Sequence, residues 1–292
     1  MRPLILLHGG AGVTPGRDYG EVRTHLDALA STMARQLGDG LGALDAVERA
    51  VAEMEISGLY VAGRGSGPNR AGDVEMDASI MDGARHRGGA VCAVRHVASP
   101  IAAARAVMER TPHVLLAGAG ADAFAREQGL APIPDDPAWF RLPVGVQPED
   151  LAADPDALAH GTVGAVALDA AGRLAAATST GGLFGKRPGR VGDTALLGHG
   201  TWADDRVALS CTGVGEAFIL AGGAADVAAR MRYGGAPLGA ACNAMLARVA
   251  QLGGNGGVIA LGCDGEHHFG WNSPGLKRAL GRPGTPAMVA ID

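Results

Sequence analysis

The sequence predicts an α+β fold in which sheets stack in layers with helices outside. Three observations lead there. Strand-like and helix-like stretches occur in both halves of the chain, and hairpin signals rather than regular strand–helix–strand crossovers join the strands. Glycine supplies 47 of the 292 residues without a collagen-like period, which means many tight turns and close backbone approaches.

The N-terminal half opens with the apolar run Leu4–Leu7, a buried strand expected to end in a tight loop at Gly9-Gly10. Helices are expected over Tyr19–Leu37 and Leu41–Met54, where Val22, Leu26 and Leu29, then Leu44, Val47 and Val51, recur at three- and four-residue spacing. Gly58–Gly72 reads as loop, and Val74–Met81 and Ala90–Val97 as strands. Ser99-Pro100 suits the cap and first position of a helix running to about Arg110. From Gly129 to His160 six prolines alternate with acidic residues and no period survives, so an exposed connector is expected there. A connector that long inside a compact domain is usually functional.

The C-terminal half resumes with a hairpin, Thr162–Leu168 and Leu174–Thr178, turning at Asp169–Gly172. Val207–Cys211 is a further strand, Glu216–Met231 and Leu238–Leu252 are helical, and Gly257–Gly262, His267–Trp271 and Met288–Ile291 close the chain as strands.

Composition excludes several classes. A formal net charge of −5 speaks against a nucleic-acid binder. No apolar run reaches the length of a membrane span. Cys92, Cys211, Cys242 and Cys263 are widely separated with no zinc-like spacing, and the histidines, including His267-His268, show no metal pattern. Met1–His8 lacks the features of a signal peptide, so a cytoplasmic location is expected. Gly118-Ala119-Gly120-Ala121-Asp122-Ala123 follows the apolar Val114–Ala117 like a dinucleotide fingerprint. The acidic residues that should follow, Asp135 and Asp136, fall in the Pro-rich stretch instead of at a strand end, which disfavours a nucleotide.

Chemistry concentrates where the connector ends, at His160-Gly161-Thr162-Val163-Gly164. A threonine hydroxyl is a poor nucleophile unless a base stands beside it. Cutting the Gly161–Thr162 bond would free the α-amine of Thr162, a base with a reference pKa near 8. Glycine before the threonine leaves little bulk at the bond and tolerates strain.

The segments Ala176–Gly182, Lys186–Asp193 and Ser210–Glu216, with His8-Gly9-Gly10-Ala11-Gly12 and Glu75–Gly83, occur in an order that resembles the plant-type asparaginases, also called isoaspartyl peptidases. These are threonine members of the N-terminal-nucleophile hydrolases, and the resemblance runs from His8 to the last strand. It implies an αββα four-layer sandwich in one domain over residues 1–292, cut between 161 and 162 into an α subunit with a linker at about 130–160 and a β subunit from 162. It implies Thr162 as nucleophile and Thr180 as the hydroxyl that orients it. Arg190 and Asp193 would hold the α-carboxylate and α-amine of an aspartyl group, Thr212 and Gly213 would form the oxyanion hole, and Gly215 would belong to the substrate loop. The implied activity is hydrolysis of the β-amide of asparagine, of β-aspartyl dipeptides, or of both. No cofactor is required; a structural Na+ near Met54–Ala62 and a homodimer of cleaved αβ protomers are further implications. His8 is expected to pack near the site. An aspartylglucosaminidase-like role is disfavoured by the absence of a secretory signal.

Two departures stand out. Tyr60-Val61-Ala62-Gly63 stands where the family usually has Phe-Asn-Ala-Gly, and Thr212-Gly213-Val214-Gly215 where it has Thr-Gly-Thr-Gly. Two polar groups become valine near one pocket, which leaves open an altered-specificity or non-catalytic protein that binds aspartyl ligands on the same fold.

Overall fold

The computed structural model describes residues 2–147, 149 and 161–292. Its larger sheet takes strands β1 (Leu4–Ala11), β2 (Met76–Asp82), β3 (Arg87–Val94), β4 (Leu115–Ala117), β5 (Val163–Leu168), β6 (Leu174–Thr180), β11 (Leu276–Gly281) and β12 (Met288–Ile291), in the order β12-β11-β1-β5-β6-β2-β3-β4. The smaller takes β7 (Thr201–Ala203), β8 (Val207–Gly213), β9 (Gly256–Gly262) and β10 (His267–Trp271), ordered β10-β9-β8-β7. All named pairings are antiparallel except β3 with β4.

Side-chain alternation along each strand builds the layers. On one face of the large sheet, Ile5, Leu7, Val163, Ala165 and Ala177 pack against α1 (Gly20–Gly38), α2 (Ala43–Ser57), α3 (Pro100–Arg110) and α4 (Gly118–Glu127). On the other face Leu4, Leu6, Val166, Leu168 and Ala176 meet Ala208, Ile259 and Leu261 of the small sheet. The outer face of the small sheet, with Leu209, Cys211 and Val258, is covered by α5 (Gly215–Ala221), α6 (Gly223–Gly234) and α7 (Leu238–Gln251). The order helix, sheet, sheet, helix is the four-layer sandwich the resemblance implies.

Several elements differ from the sequence reading. β1 runs through Gly9 and Gly10 to Ala11, because both its edges find partners, β5 and β11. The expected helix Glu216–Met231 is two helices, broken where Gly222 adopts a left-handed φ of 79°. Gly118–Glu127 is a helix, not a nucleotide loop, and β7 and β11 are strands that the reading left out. Part of the expected connector is not exposed. Leu130, Ile133, Phe140 and Val144 lie against the helical core, and the N–H groups of Arg141 and Val144 donate to the carbonyls of Arg64 and Leu59. Apolar residues between the prolines find that surface, which a count of prolines does not foresee. The rest of that expectation, from Pro148 to His160 except Glu149, lies outside the described residues.

The large sheet carries buried polar groups on both faces near the end that holds Thr162 and Thr180. Glu55 of α2 is buried; its carboxylate accepts hydrogen bonds from Ser179 Oγ (2.6 Å), Ser99 Oγ (2.6 Å) and the Ile101 N–H (3.0 Å). Burial pushes its pKa up to about 7, against the pull of those donors. Between the sheets, Ser79, Thr178, Thr201 and Ser210 form a continuous hydroxyl chain that ends at His8 Nε2, 2.8 Å from Ser210 Oγ. Burial lowers His8 to a pKa of about 3, so its imidazole is neutral.

Close packing of α3 on β3 depends on Gly89: a methyl group there would sit 2.5 Å from Met108 N and nearer still to the Ala104 carbonyl. Gly89→Ala is expected to lower unfolding stability by about 3 kcal/mol, an overpacking effect, measured as a shift in the urea midpoint.

Candidate active site

Antiparallel pairing sets the centre of the site. β5 pairs with β6 in a register that opposes Val163 to Ser179, so the preceding residue, Thr162, faces Thr180. Both hydroxyls then point into the layer between the sheets, and Thr162 Oγ1 donates to Thr180 Oγ1 at 3.1 Å. The Gly182 N–H donates to the same Thr180 oxygen (3.0 Å) and fixes its position. On its far side β6 pairs with β2, which opposes Asp77 to Thr180. Thr162, Thr180 and Asp77 thus form one row across three adjacent strands, all buried.

A narrow cavity opens on this row; Gly161, Thr162, Thr180, Arg190, Asp193 and Gly213 line it. Six of the eight residues expected at the site therefore come together. The other two stand directly behind. Thr212 is buried, its Oγ1 accepting the Ala11 N–H (3.1 Å), which leaves its own O–H free to donate. Gly215 begins α5, where a Cβ would come 2.9 Å from Asp193 Oδ1, so only glycine lets Asp193 sit this close to the helix.

The two charged residues differ in state. Arg190 is oriented by a bidentate pair: Nε donates to Glu216 Oε1 (2.8 Å) and Nη2 to Oε2 (2.7 Å). Its third nitrogen, Nη1, lies against Gly182 and Gly192 at the cavity wall. Asp193 is buried, and burial raises its carboxyl to about 7 in spite of the nearby Arg190 guanidinium. Asp193 Oδ2 finds no hydrogen-bond partner among the described residues. A buried carboxylate lacking a partner is costly unless a ligand completes it.

Val61 also reaches the junction. A Cβ on Gly161 would lie 2.5 Å from Val61 Cβ and nearer still to Cγ2, and the Val61 carbonyl accepts the Gly181 N–H (2.9 Å). The valine that departs from the family pattern thus packs on the glycine before Thr162.

The sequence reading missed the residues that hold the loop around Arg190. The Lys186 ammonium is buried, its pKa lowered by burial, and donates to the Glu75 carbonyl (2.8 Å), while the Glu75 carboxylate accepts the Gly189 N–H (3.0 Å). Asp77, fully buried, accepts the Ala93 N–H (2.8 Å), where Ala93 takes an unusual φ of 52°. Its pKa is raised by burial, offset by Lys186 and Arg190. One signal could have found Asp77: an acid inside the otherwise unchargeable strand Met76–Met81 must have a partner or a task. Glu216 carried none, since an acid in the first turn of a helix is ordinary.

Comparison with known proteins agrees with this geometry. A family model described as Asparaginase matches residues 1–290. The isoaspartyl peptidase of Salmonella typhimurium is 42% identical, the match covering 99% of this chain and 98% of that protein. The isoaspartyl peptidase/L-asparaginase of Xenopus laevis is 40% identical over 91% of this chain and 88% of its own length. A probable isoaspartyl peptidase/L-asparaginase of Arabidopsis thaliana is 37% identical over 98% of each.

The contact between Val61 and Gly161 predicts a paired mutational effect. Gly161→Ala is expected to cost about 2 kcal/mol of stability by overpacking. Val61→Gly in the same chain should return much of that loss, and a double-mutant cycle of thermal melts reads the coupling.

Proposed function

The chain belongs to the asparaginase family and is an amidohydrolase, and from that premise we propose that it cuts itself between Gly161 and Thr162 and then hydrolyses the β-amide of asparagine, of β-aspartyl dipeptides, or of both. The observation that carries the reading is one distance: Thr162 Oγ1 lies 3.1 Å from Thr180 Oγ1, in a cavity that also holds Arg190 and Asp193.

In this reading the Thr162 hydroxyl first attacks the Gly161 carbonyl carbon. The acyl group passes from nitrogen to oxygen, and water hydrolyses the ester, leaving a carboxylate on Gly161 and a free amine on Thr162. That amine then takes the hydroxyl proton as Oγ attacks the side-chain carbonyl of the substrate. The oxyanion accepts from the Gly213 N–H and the Thr212 hydroxyl, donors of a kind that can contribute about 3–4 kcal/mol. The leaving amine departs with the proton, and a water activated by the same base releases aspartate. Arg190 Nη1 grips the α-carboxylate while Glu216 holds the guanidinium still, and Asp193 takes the α-ammonium, the partner its Oδ2 lacks.

Carbonyls of the segment that follows α2, within Met54–Ala62, suit a sodium ion: those of Leu59, Tyr60 and Val61 each accept one hydrogen bond and keep a second lone pair. Such an ion would stiffen the segment that presses Val61 on Gly161, and no chemical step runs through it. The active unit is proposed to be a dimer of cleaved αβ protomers, read from the family resemblance. Among the described residues no helix is long and apolar enough to cross a membrane. The four cysteines are free, three of them buried, which supports a cytoplasmic location. Nothing favours a non-catalytic protein, since Val61 leaves Thr162, Thr180, Arg190 and Asp193 together.

Incubated protein is expected to resolve into fragments 1–161 and 162–292 on a denaturing gel, whereas Thr162→Ala stays a single band and releases no ammonia from asparagine. An uncut, active wild type would refute the mechanism. The pH dependence separates the two titrating groups. Asp193, raised to about 7, is uncharged below that pH and binds an ammonium only above it, so KM for asparagine should fall between roughly pH 6 and 8. Asp193→Asn should raise KM at least about tenfold and flatten that dependence. In the wild type kcat should rise separately as the Thr162 amine, near 8, loses its proton.

A further inference from the structure

Beside the cavity at Thr162, and sharing Leu183 and Arg190 with it, lies an open basin of about 440 Å³. Its wall is the segment Leu183–Arg190, faced by Arg70 and Glu216. The basin is strongly cationic in a chain of net charge −5. Glu216, the sole acid in it, already holds Arg190 through two hydrogen bonds. Lys186 is turned inward to the Glu75 carbonyl. Arg70 donates Nε to the Gly185 carbonyl (3.0 Å) and has no ion pair among the described residues. Arg187 is exposed, and among the described residues its guanidinium has no hydrogen-bonding or ionic partner.

The backbone that carries Arg187 is not loose. The Gly185 N–H donates to the Pro68 carbonyl (2.9 Å), the Lys186 carbonyl accepts the Arg70 N–H (2.9 Å), and the Gly189 N–H donates to the Glu75 carboxylate. Two guanidiniums without acidic partners among the described residues, Arg187 on a braced loop and Arg70 facing it, therefore line the basin beside the cavity. A substrate seated with its aspartyl end at Arg190 and Asp193 and its amide at Thr162 fills the narrow cavity. Whatever is attached to the amide nitrogen must extend out of it, and the basin is the space that adjoins.

We propose that this basin is a leaving-group subsite in which Arg187, aided by Arg70, binds the free carboxylate of the residue following the β-aspartyl bond. The inference rests on the function proposed above and narrows it: the preferred substrates are short β-aspartyl peptides ending in a free carboxylate at the next residue. Asparagine, whose leaving group is ammonia, gains nothing from the basin. A neutral peptide amide gains no charge pairing there.

The test compares three substrates on self-processed protein: β-aspartyl-leucine, its C-terminal amide, and asparagine. Wild type should prefer the free carboxylate over the amide by about fivefold in kcat/KM, the size of one exposed charge pair, and the preference should shrink as salt is added. Arg187→Gln should abolish most of that preference through KM, and Arg187→Glu should reverse it. Equal kcat/KM for the acid and the amide in wild type, or a preference untouched by both substitutions, overturns the subsite while leaving the amidohydrolase intact. Failure to cleave any of the three substrates overturns the subsite together with the function it rests on. A substitution that blocks folding is recognised by loss of self-cleavage; Arg187→Lys, which keeps the charge, should then retain both cleavage and preference, and losing the preference with cleavage intact also counts against the proposal.

Discussion

One register places Thr162 beside Thr180. Pairing of β5 with β6 opposes Val163 to Ser179, and a side-chain period of two sends Thr162 and Thr180 to the same face. A slip of one residue would turn Thr162 toward the helices and place Val163 between the sheets. The register is strongly specified because the same alternation sends Val163, Ala165 and Ala167 into the helical core and Val166 and Leu168 into the inter-sheet layer. The hydrophobic pattern that folds the hairpin therefore also aims the hydroxyl.

The layer between the sheets is divided along its length. At one end Leu4, Leu6, Leu168, Leu174 and Leu261 make it an apolar core. At the other, His8, Ser79, Thr178, Thr201 and Ser210 hydrogen-bond in series across the two sheets. A hydroxyl donates one hydrogen and accepts at two lone pairs, so such a chain satisfies itself without any net charge. The division has a physical consequence. The apolar end supplies the burial energy, and the polar end allows Thr162 and Thr180 to sit buried without being the lone polar groups in a greasy seam. Neutral His8 fits the same logic, since an imidazolium there would be a buried charge with no acid beside it.

How much of this was legible in the sequence follows from what each signal encodes. Periodicity and turn chemistry are local, so β5, β6, α1, α2 and α7 were readable to within a few residues. Elements whose partners are distant were not. β11, Leu-Lys-Arg-Ala-Leu-Gly, has charges where a strand pattern wants alternation, and it is a strand because β1 and β12 flank it. Gly222-Gly223 fell inside the expected helix Glu216–Met231, and both take a left-handed φ, 79° and 43°, that ends α5 and starts α6. At the site, Thr162, Thr180, Arg190 and Asp193 were carried by motifs in series, so they were found together. Lys186, Glu75 and Asp77 act through backbone groups far along the chain, and no spacing rule reports a carboxylate that accepts a remote N–H.

The supporting charges explain why the centre can be so exposed to error and still hold. Among the described residues Asp77 and Asp193 each leave Oδ2 without a hydrogen-bond partner, and burial raises both carboxyls. In isolation either would be a liability of a few kcal/mol. Together with Lys186 and Arg190 they form an alternating set of charges around the Gly182–Asp193 segment, so that each charge lies near one of opposite sign. Coulomb attraction in a poorly solvated site is stronger than at a surface, and the set resists the departure of any member. Of the two carboxylates, Asp193 lies on the cavity wall. Under the proposed function, a substrate ammonium would supply the partner that Asp193 Oδ2 lacks among the described residues.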